Sequence, residues 1–143
     1  MVKVIYYDLE TTNLRPLTGP NGVEIVQIGA VCNWNKNIQK LGSHSGHPSG
    51  DGIYLVPNRE ISVGATQVHG LTRDELIEDK RTRRYWNVFS PKRGLQEFVK
   101  FVEQQREQSG EKILLVSSFH KGLLVGSDSR KNLSMVLLVS RDT

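Results

Sequence analysis

Cysteine is almost missing from this chain: Cys32 is the single one in 143 residues. An internal disulfide is thereby excluded, as are structural zinc sites built on several thiolates and redox centres built on cysteine pairs. Any metal must be held by oxygen or by histidine. Long apolar runs are missing too. No stretch approaches the roughly 20 residues that cross a bilayer, and the opening Met1-Val2-Lys3-Val4 lacks the apolar core of a signal peptide. The expectation is an intracellular protein, nuclear or cytoplasmic, with no membrane partner. There is no glycine-rich phosphate loop, no Ser-His-Asp arrangement, no internal repeat and no coiled-coil heptad. The length allows one domain of ordinary size. Positive charge is in mild excess: 19 Lys and Arg stand against 15 Asp and Glu, with a sequence pI near 9.3. That balance leans toward a polyanionic partner, although a surplus of this size is also common on proteins that bind none.

Val2 to Tyr7 alternates and is rich in β-branched and aromatic residues, which predicts a strand running into Asp8-Leu9-Glu10-Thr11-Thr12. Prolines, glycines and asparagines then break the pattern from Asn13 to Gly22. A second strand is expected from Glu24 to Trp34, where Val26, Ile28, Ala30 and Cys32 share one parity. Gly42 to Gly52 reads as a solvated loop; His44 and His47 within it have no carboxylate or cysteine nearby to make a metal site. Ile53 to Val56 is a short third strand stopped by Pro57.

Beyond this point helices are expected. Thr72-Arg73-Asp74-Glu75 matches a capping box and predicts a short helix from Arg73 to about Glu78. Ser90-Pro91 opens a second helix whose apolar stripe is Leu95, Phe98, Val99 and Val102, ending near Ser109-Gly110. Lys112 to Ser117 is a fourth strand, apolar enough to be buried on both faces. The result is an α+β (α/β) domain: three antiparallel strands, then a helix that returns the chain to a parallel fourth. For Leu133 to Val139, an edge strand and an aggregation-prone tail are both open.

Asp8 and Glu10 are the most informative residues. Alternate strand positions project to one face, so the two carboxylates can converge. Like charges so placed either raise a pKa or recruit a cation, and hard oxygen ligands select Mg²⁺ or Mn²⁺. A two-metal centre of this kind activates a water and stabilises the leaving oxygen in phosphodiester hydrolysis. Spacing alone leaves a plainer reading open, in which Asp8 caps a turn and Glu10 lies in solvent.

Three segments in order, Tyr6-Tyr7-Asp8-Leu9-Glu10-Thr11-Thr12-Asn13-Leu14, Glu24-Ile25-Val26-Gln27-Ile28-Gly29-Ala30-Val31 and Ala65-Thr66-Gln67-Val68-His69-Gly70-Leu71-Thr72, settle which reading to carry forward. Together they resemble the DEDD-type (DEDDh-like) 3′→5′ exonuclease superfamily, the proofreading and RNA-trimming nucleases with a ribonuclease H-like fold. The resemblance implies that Asp8 and Glu10 ligate Mg²⁺ or Mn²⁺, two ions in a complete member. It implies that groups around Thr11, Thr12 and Leu14 contact the terminal nucleotide of a single-stranded DNA or RNA 3′ end, and it admits a homodimer. His69 falls in the family's structural His-Gly segment, so packing or hydrogen bonding is expected of it rather than general-base work.

The resemblance fails after the fourth strand. Where an aspartate is expected, the chain reads Ser117-Ser118-Phe119-His120-Lys121-Gly122; Asp128 comes several residues too late, and no third motif follows. His120 as a base and Asp128 as a ligand would need a supporting shell that holds them to within about half an ångström. The expectation is therefore a partial exonuclease-like domain over residues 1–117 and a divergent tail over 118–143, as a truncated or alternatively spliced product would have. Catalysis is expected to be weak or absent. The alternative function is a non-catalytic nucleic-acid-binding or protein-interaction module, and a chain that does not fold stably alone is a third expectation.

One more stretch stands out. Lys80 to Arg93 interleaves cations with Tyr85, Trp86 and Phe89. It reads either as a nucleic-acid contact, with Arg83 and Arg84 on phosphates and Trp86 stacking on a base, or as a solvated loop with an aromatic foot on the core. The run Lys80 to Arg84 also has the look of a short nuclear address.

Overall fold

The structure, a computed structural model, describes residues 2–13, 22–42, 52–109, 112–120 and 132–139. Its elements are β1 (Lys3–Thr11), β2 (Ile25–Trp34), β3 (Asn37–Lys40), β4 (Ile53–Leu55), α1 (Val63–His69), α2 (Arg73–Thr82), β5 (Val88–Phe89), α3 (Pro91–Ser109), β6 (Ile113–His120) and β7 (Asn132–Val139). The strands form one mixed sheet in the order β5-β4-β2-β1-β6-β7, and β3 pairs with β2 off that path. β1, β2 and β4 are antiparallel neighbours, while β6 lies parallel to β1 and β5 parallel to β4. This is the expected mixed α/β architecture, compatible with a ribonuclease H-like fold. Among the described residues no helix is long and apolar enough to cross a membrane.

Strand parity sets the core. In β2 the buried residues are Val26, Ile28, Ala30 and Cys32, with half-buried neighbours between them. Ile5, Ile28, Ile53, Leu55, Ile113 and Leu115 from the sheet meet Phe101 and Val102 of α3. A second cluster joins Tyr54 and Val88 to Leu71 and Leu76, the latter from α2. Each large aliphatic side chain taken fully out of water contributes about 1.5–3 kcal/mol.

Several expectations need correcting. The stripe proposed for α3 is rolled: Leu95 and Val99 remain 44% and 56% exposed, and Gly94, Phe98, Phe101, Val102 and Gln105 face inward. The reason is close approach. A Cβ on Gly94 would stand 2.5 Å from Leu55 Cγ, so the helix lies with its glycine down on β4. Two helical elements differ from the sequence reading. α1 was not expected, because its seven residues bury only Ala65 and show no apolar period; Ser62 Oγ caps it by accepting from Ala65 N at 3.1 Å, and Gly70 ends it. α2 runs on to Thr82 rather than stopping at Glu78, with Arg81 paired to Glu78 at 2.6 Å in its last turn.

The short strands β3 and β5 were also not expected. The β2–β3 hairpin turns on Asn35 and Lys36, both left-handed at φ 49 and 65. That is the pattern of a two-residue type I′ turn, without the glycine that usually signals one. β6 continues past Ser117 to His120, and Asn132–Val139 pairs along it as an edge strand, one of the two readings of that segment.

Candidate functional site

β1 divides its side chains between two faces. Ile5, Tyr7 and Leu9 pack toward α3, Tyr7 with Phe98 at a ring separation of 6.0 Å. Tyr6, Asp8 and Glu10 project to the opposite face, as alternation requires. Directly opposite on β2 are Gly29 for Asp8 and Gln27 for Glu10, and facing residues of an antiparallel pair share a side. Gly29 therefore leaves the space beside the Asp8 carboxylate without a side chain. A cavity of about 320 Å³ opens there, lined in part by Tyr6, Asp8, Gly29, Val31, Lys40 and Val116. Asp8 is exposed, and its Oδ1 accepts from Leu9 N at 3.0 Å. The floor is tight because Gly52, at φ +121, lies against β2 where a Cβ would meet Ile28 O at 2.5 Å. Asn87 Nδ2 holds that turn by donating to Gly52 O at 2.7 Å.

Just beyond Glu10 the strand end is clamped. Thr12 is fully buried; its N donates to Glu24 O at 2.9 Å and its Oγ1 accepts from Glu24 N at 3.1 Å. Thr12 O in turn accepts from Ser62 N, the cap of α1, at 2.8 Å. Glu24 fans its carboxylate onto Asn58 N, Arg59 N and Arg59 Nε at 3.1, 3.0 and 3.1 Å. Leu71 N donates to His69 Nδ1 at 3.1 Å, which places the ring proton on Nε2, where it meets Thr11 O at 3.1 Å. Burial holds this imidazole below its ordinary 6.5, against the opposing pull of the hydrogen bond to Thr11. Both ring nitrogens are engaged by backbone, in keeping with a bracing part for His69. The three sequence segments thus meet at one place: the second and third fix the end of the strand that carries the acids.

The donor set can be tested against a divalent cation. In kind it fits, since Mg²⁺ is commonly held through one or two carboxylates, with waters and substrate phosphates completing the shell. In number it falls short of a metal pair: among the described residues no third His, Cys, Asp or Glu joins a ligand cluster. Leu14, His44, His47 and Asp128 lie outside the described residues, and His120 ends β6.

The basic residues named from sequence stand apart. Glu10, Gln27, Tyr54 and Val88 form one row across β1, β2, β4 and β5. Three inter-strand spacings of roughly 4.8 Å separate its ends by about 14 Å. Arg83, which closes α2 in a left-handed conformation, Arg84, set 5.3 Å from the Tyr85 ring, and Trp86, 55% exposed, all precede Val88. They are not brought to the acidic pair. The residues that sequence reading missed are Tyr6, Gly29, Gln27 and Lys40. Of these, Tyr6, Gln27 and Gly29 had a visible signal, because they sit in the first and second segments, and Lys40 had none.

No family model matches the chain, and no solved structure matches it significantly. A DNA polymerase III subunit epsilon from Pasteurella multocida (strain Pm70) is 35% identical over 77 residues, which is 53% of this chain. The match spans 27% of that protein's length.

Proposed function

We propose that the acidic pair of β1 belongs to a 3′→5′ exonuclease type of centre, one that engages the 3′ end of a single-stranded nucleic acid through a divalent cation, Mg²⁺ or Mn²⁺, and hydrolyses it weakly or not at all. The observation that carries this reading is the placement of Asp8 and Glu10 on one open face, at the end of a strand braced by Thr12, Glu24 and His69. Similarity to a stretch of a DNA polymerase subunit supports the exonuclease side of the reading.

Each residue has a definite task in this scheme. Asp8 and Glu10 supply hard oxygens to the ion. When bound, the ion would neutralise phosphate charge and lower the pKa of a coordinated water. Gly29 leaves room for the strand end, and the exposed Tyr6 ring offers a surface for a base. The brace keeps the carboxylates in register, which matters because ligand placement must hold to within about half an ångström. With two carboxylates and no third ligand among the described residues, the chain would hold such an ion weakly and would orient a water poorly.

An assay on 3′-labelled single strands tests this. With Mg²⁺ present, the chain should bind the strand more tightly than in chelator, and Asp8→Ala or Glu10→Ala should remove that increment. Release of labelled mononucleotide should stay at the level of the Asp8→Ala variant. Robust cleavage lost in Asp8→Ala would make the chain an active nuclease, whereas binding indifferent to Mg²⁺ would overturn the metal reading and leave a binding module.

A further inference from the structure

A second basin lies at the far end of the sheet. There α2, the exit from β4 and the start of α3 border an open cavity of about 460 Å³ whose lining includes Val56, Pro57, Arg73, Ile77, Lys80 and Arg81. Arg73, Ile77, Lys80 and Arg81 fall at helical spacings of four, seven and eight, so they share one face of α2. Arg73 is fixed: its Nε donates to Pro57 O at 2.9 Å and its Nη1 is 3.8 Å from Glu60, leaving Nη2 to meet a ligand. Lys80 is exposed and forms no ion pair among the described residues. Arg81 is shared with Glu78.

Neighbouring charge adds to the field. The first turn of α3 holds no acid and carries Lys92 and Arg93 instead, cations at the positive end of a 19-residue helix. That arrangement is unfavourable unless an anion offsets it. Arg93 is compensated by Glu97 at 3.2 Å, while Lys92 is exposed.

From these features we infer that the Arg73–Lys80 cavity is a phosphate site for a single-stranded polynucleotide whose 3′ end lies at the acidic pair, an inference that rests on the function proposed above. β4 and β5 run in the same direction as β1, so their exits and the Glu10 end of β1 open on one edge of the sheet. The cavity is two to three inter-strand spacings from β1, or about 10–14 Å. At about 3.4 Å per phosphate along a stacked strand, that span is three or four phosphates. The remaining Nη2 of Arg73 can donate a charge-assisted hydrogen bond to a phosphate oxygen, and the mobile ammonium of Lys80 adds charge without demanding geometry.

The test uses the full chain and a fluorescent oligothymidylate in chelator, where the acidic pair offers no metal to the strand. Fluorescence anisotropy is followed against salt. Lys80→Gln should weaken binding and lower the slope of log affinity against log salt by about 0.7, the value for one single-strand phosphate contact. Arg73→Gln should do the same, and because it also removes the bond to Pro57 its melt is recorded alongside; Lys80→Gln, at an exposed position, carries the test if Arg73→Gln unfolds. Lys100→Gln, on the outer side of α3, should leave the slope alone. Equal slopes for Lys80→Gln and wild type would overturn the cavity assignment, as would a wild type that fails to bind without metal. Either result leaves the acidic-pair reading to its own Mg²⁺ experiment. Displacement of the strand by inorganic phosphate as effectively as by unlabelled oligonucleotide would reduce the cavity to a small-anion site and refute the strand proposal.

Discussion

The two faces of β1 are built from the same nine residues and answer to different physics. On the α3 side Ile5 is fully buried among Ile28, Ile113, Phe101 and Val102, where close packing leaves little tolerance for a change of volume. On the other side Tyr6, Asp8 and Glu10 stand over Gly29 and Gln27, where charge and open space replace packing. The lesson is that one face of a strand can stay open because the opposite face and the strand end are over-determined.

The sharpest way to break that contrast is a matched pair of truncations followed by urea unfolding. Ile5→Ala should cost about 2–5 kcal/mol, the range for removing a large aliphatic side chain from a tight core. Asp8→Ala, three residues along the strand and on its other face, should stay within about 0.5 kcal/mol of wild type. Equal losses would mean that the acidic face is structural after all.

Gly94→Ala tests the packed side more finely. Helix propensity alone would favour alanine by about 1 kcal/mol, yet the new Cβ would stand 2.5 Å from buried Leu55. We expect a net loss of about 1–3 kcal/mol from overpacking. A stabilised variant would show that α3 can lift off β4 and that its roll is set by something else.

The smallest effect concerns the brace. His69 is held below its ordinary 6.5 by burial, so the folded state prefers the neutral ring. Its contribution is complete above that value and is lost as pH falls through the lower folded pKa, because the unfolded chain takes up the proton first. Thermal melts of wild type should therefore fall off with acidification below about 6.5, the unperturbed histidine value. His69→Gln should flatten that part of the profile, and an unaltered profile would assign the acid sensitivity elsewhere.

How much of this was legible beforehand depends on the kind of signal. β1 and β2 announced themselves by alternation, β4 by a short strand-like run stopped at Pro57, and the start of α3 by Ser90-Pro91. The acidic pair could be named from spacing and from its neighbours in three ordered segments. α1 could not be read, because a helix that buries one alanine has no period to display. The roll of α3 could not be read either: Leu95 and Val99 fit the apolar template as well as Phe98 and Val102 do, and only contact between Gly94 and Leu55 chooses between the faces.

The basic residues teach the same distinction. Composition put the densest cations between Lys80 and Arg93, but a linear cluster carries no information about which edge of a sheet it will meet. Folding leaves Arg83, Arg84 and Trp86 on the entry side of β5, whereas Glu10 stands near the exit of β1, which runs in the same direction. It also brings the α2 face that carries Arg73 and Lys80 against the exits of β4 and β5 in one cavity. The amino-acid order by itself determined the near scarcity of thiol chemistry, the strand that bears Asp8 and Glu10, and the family it resembles, because these depend on residue type and on periods of two to four. Only the tertiary structure decided that Gly29 empties the space beside Asp8, that Thr12, Glu24 and His69 lock the strand end, and that a basic cavity shares its edge, because each arises from contacts between segments far apart in the chain.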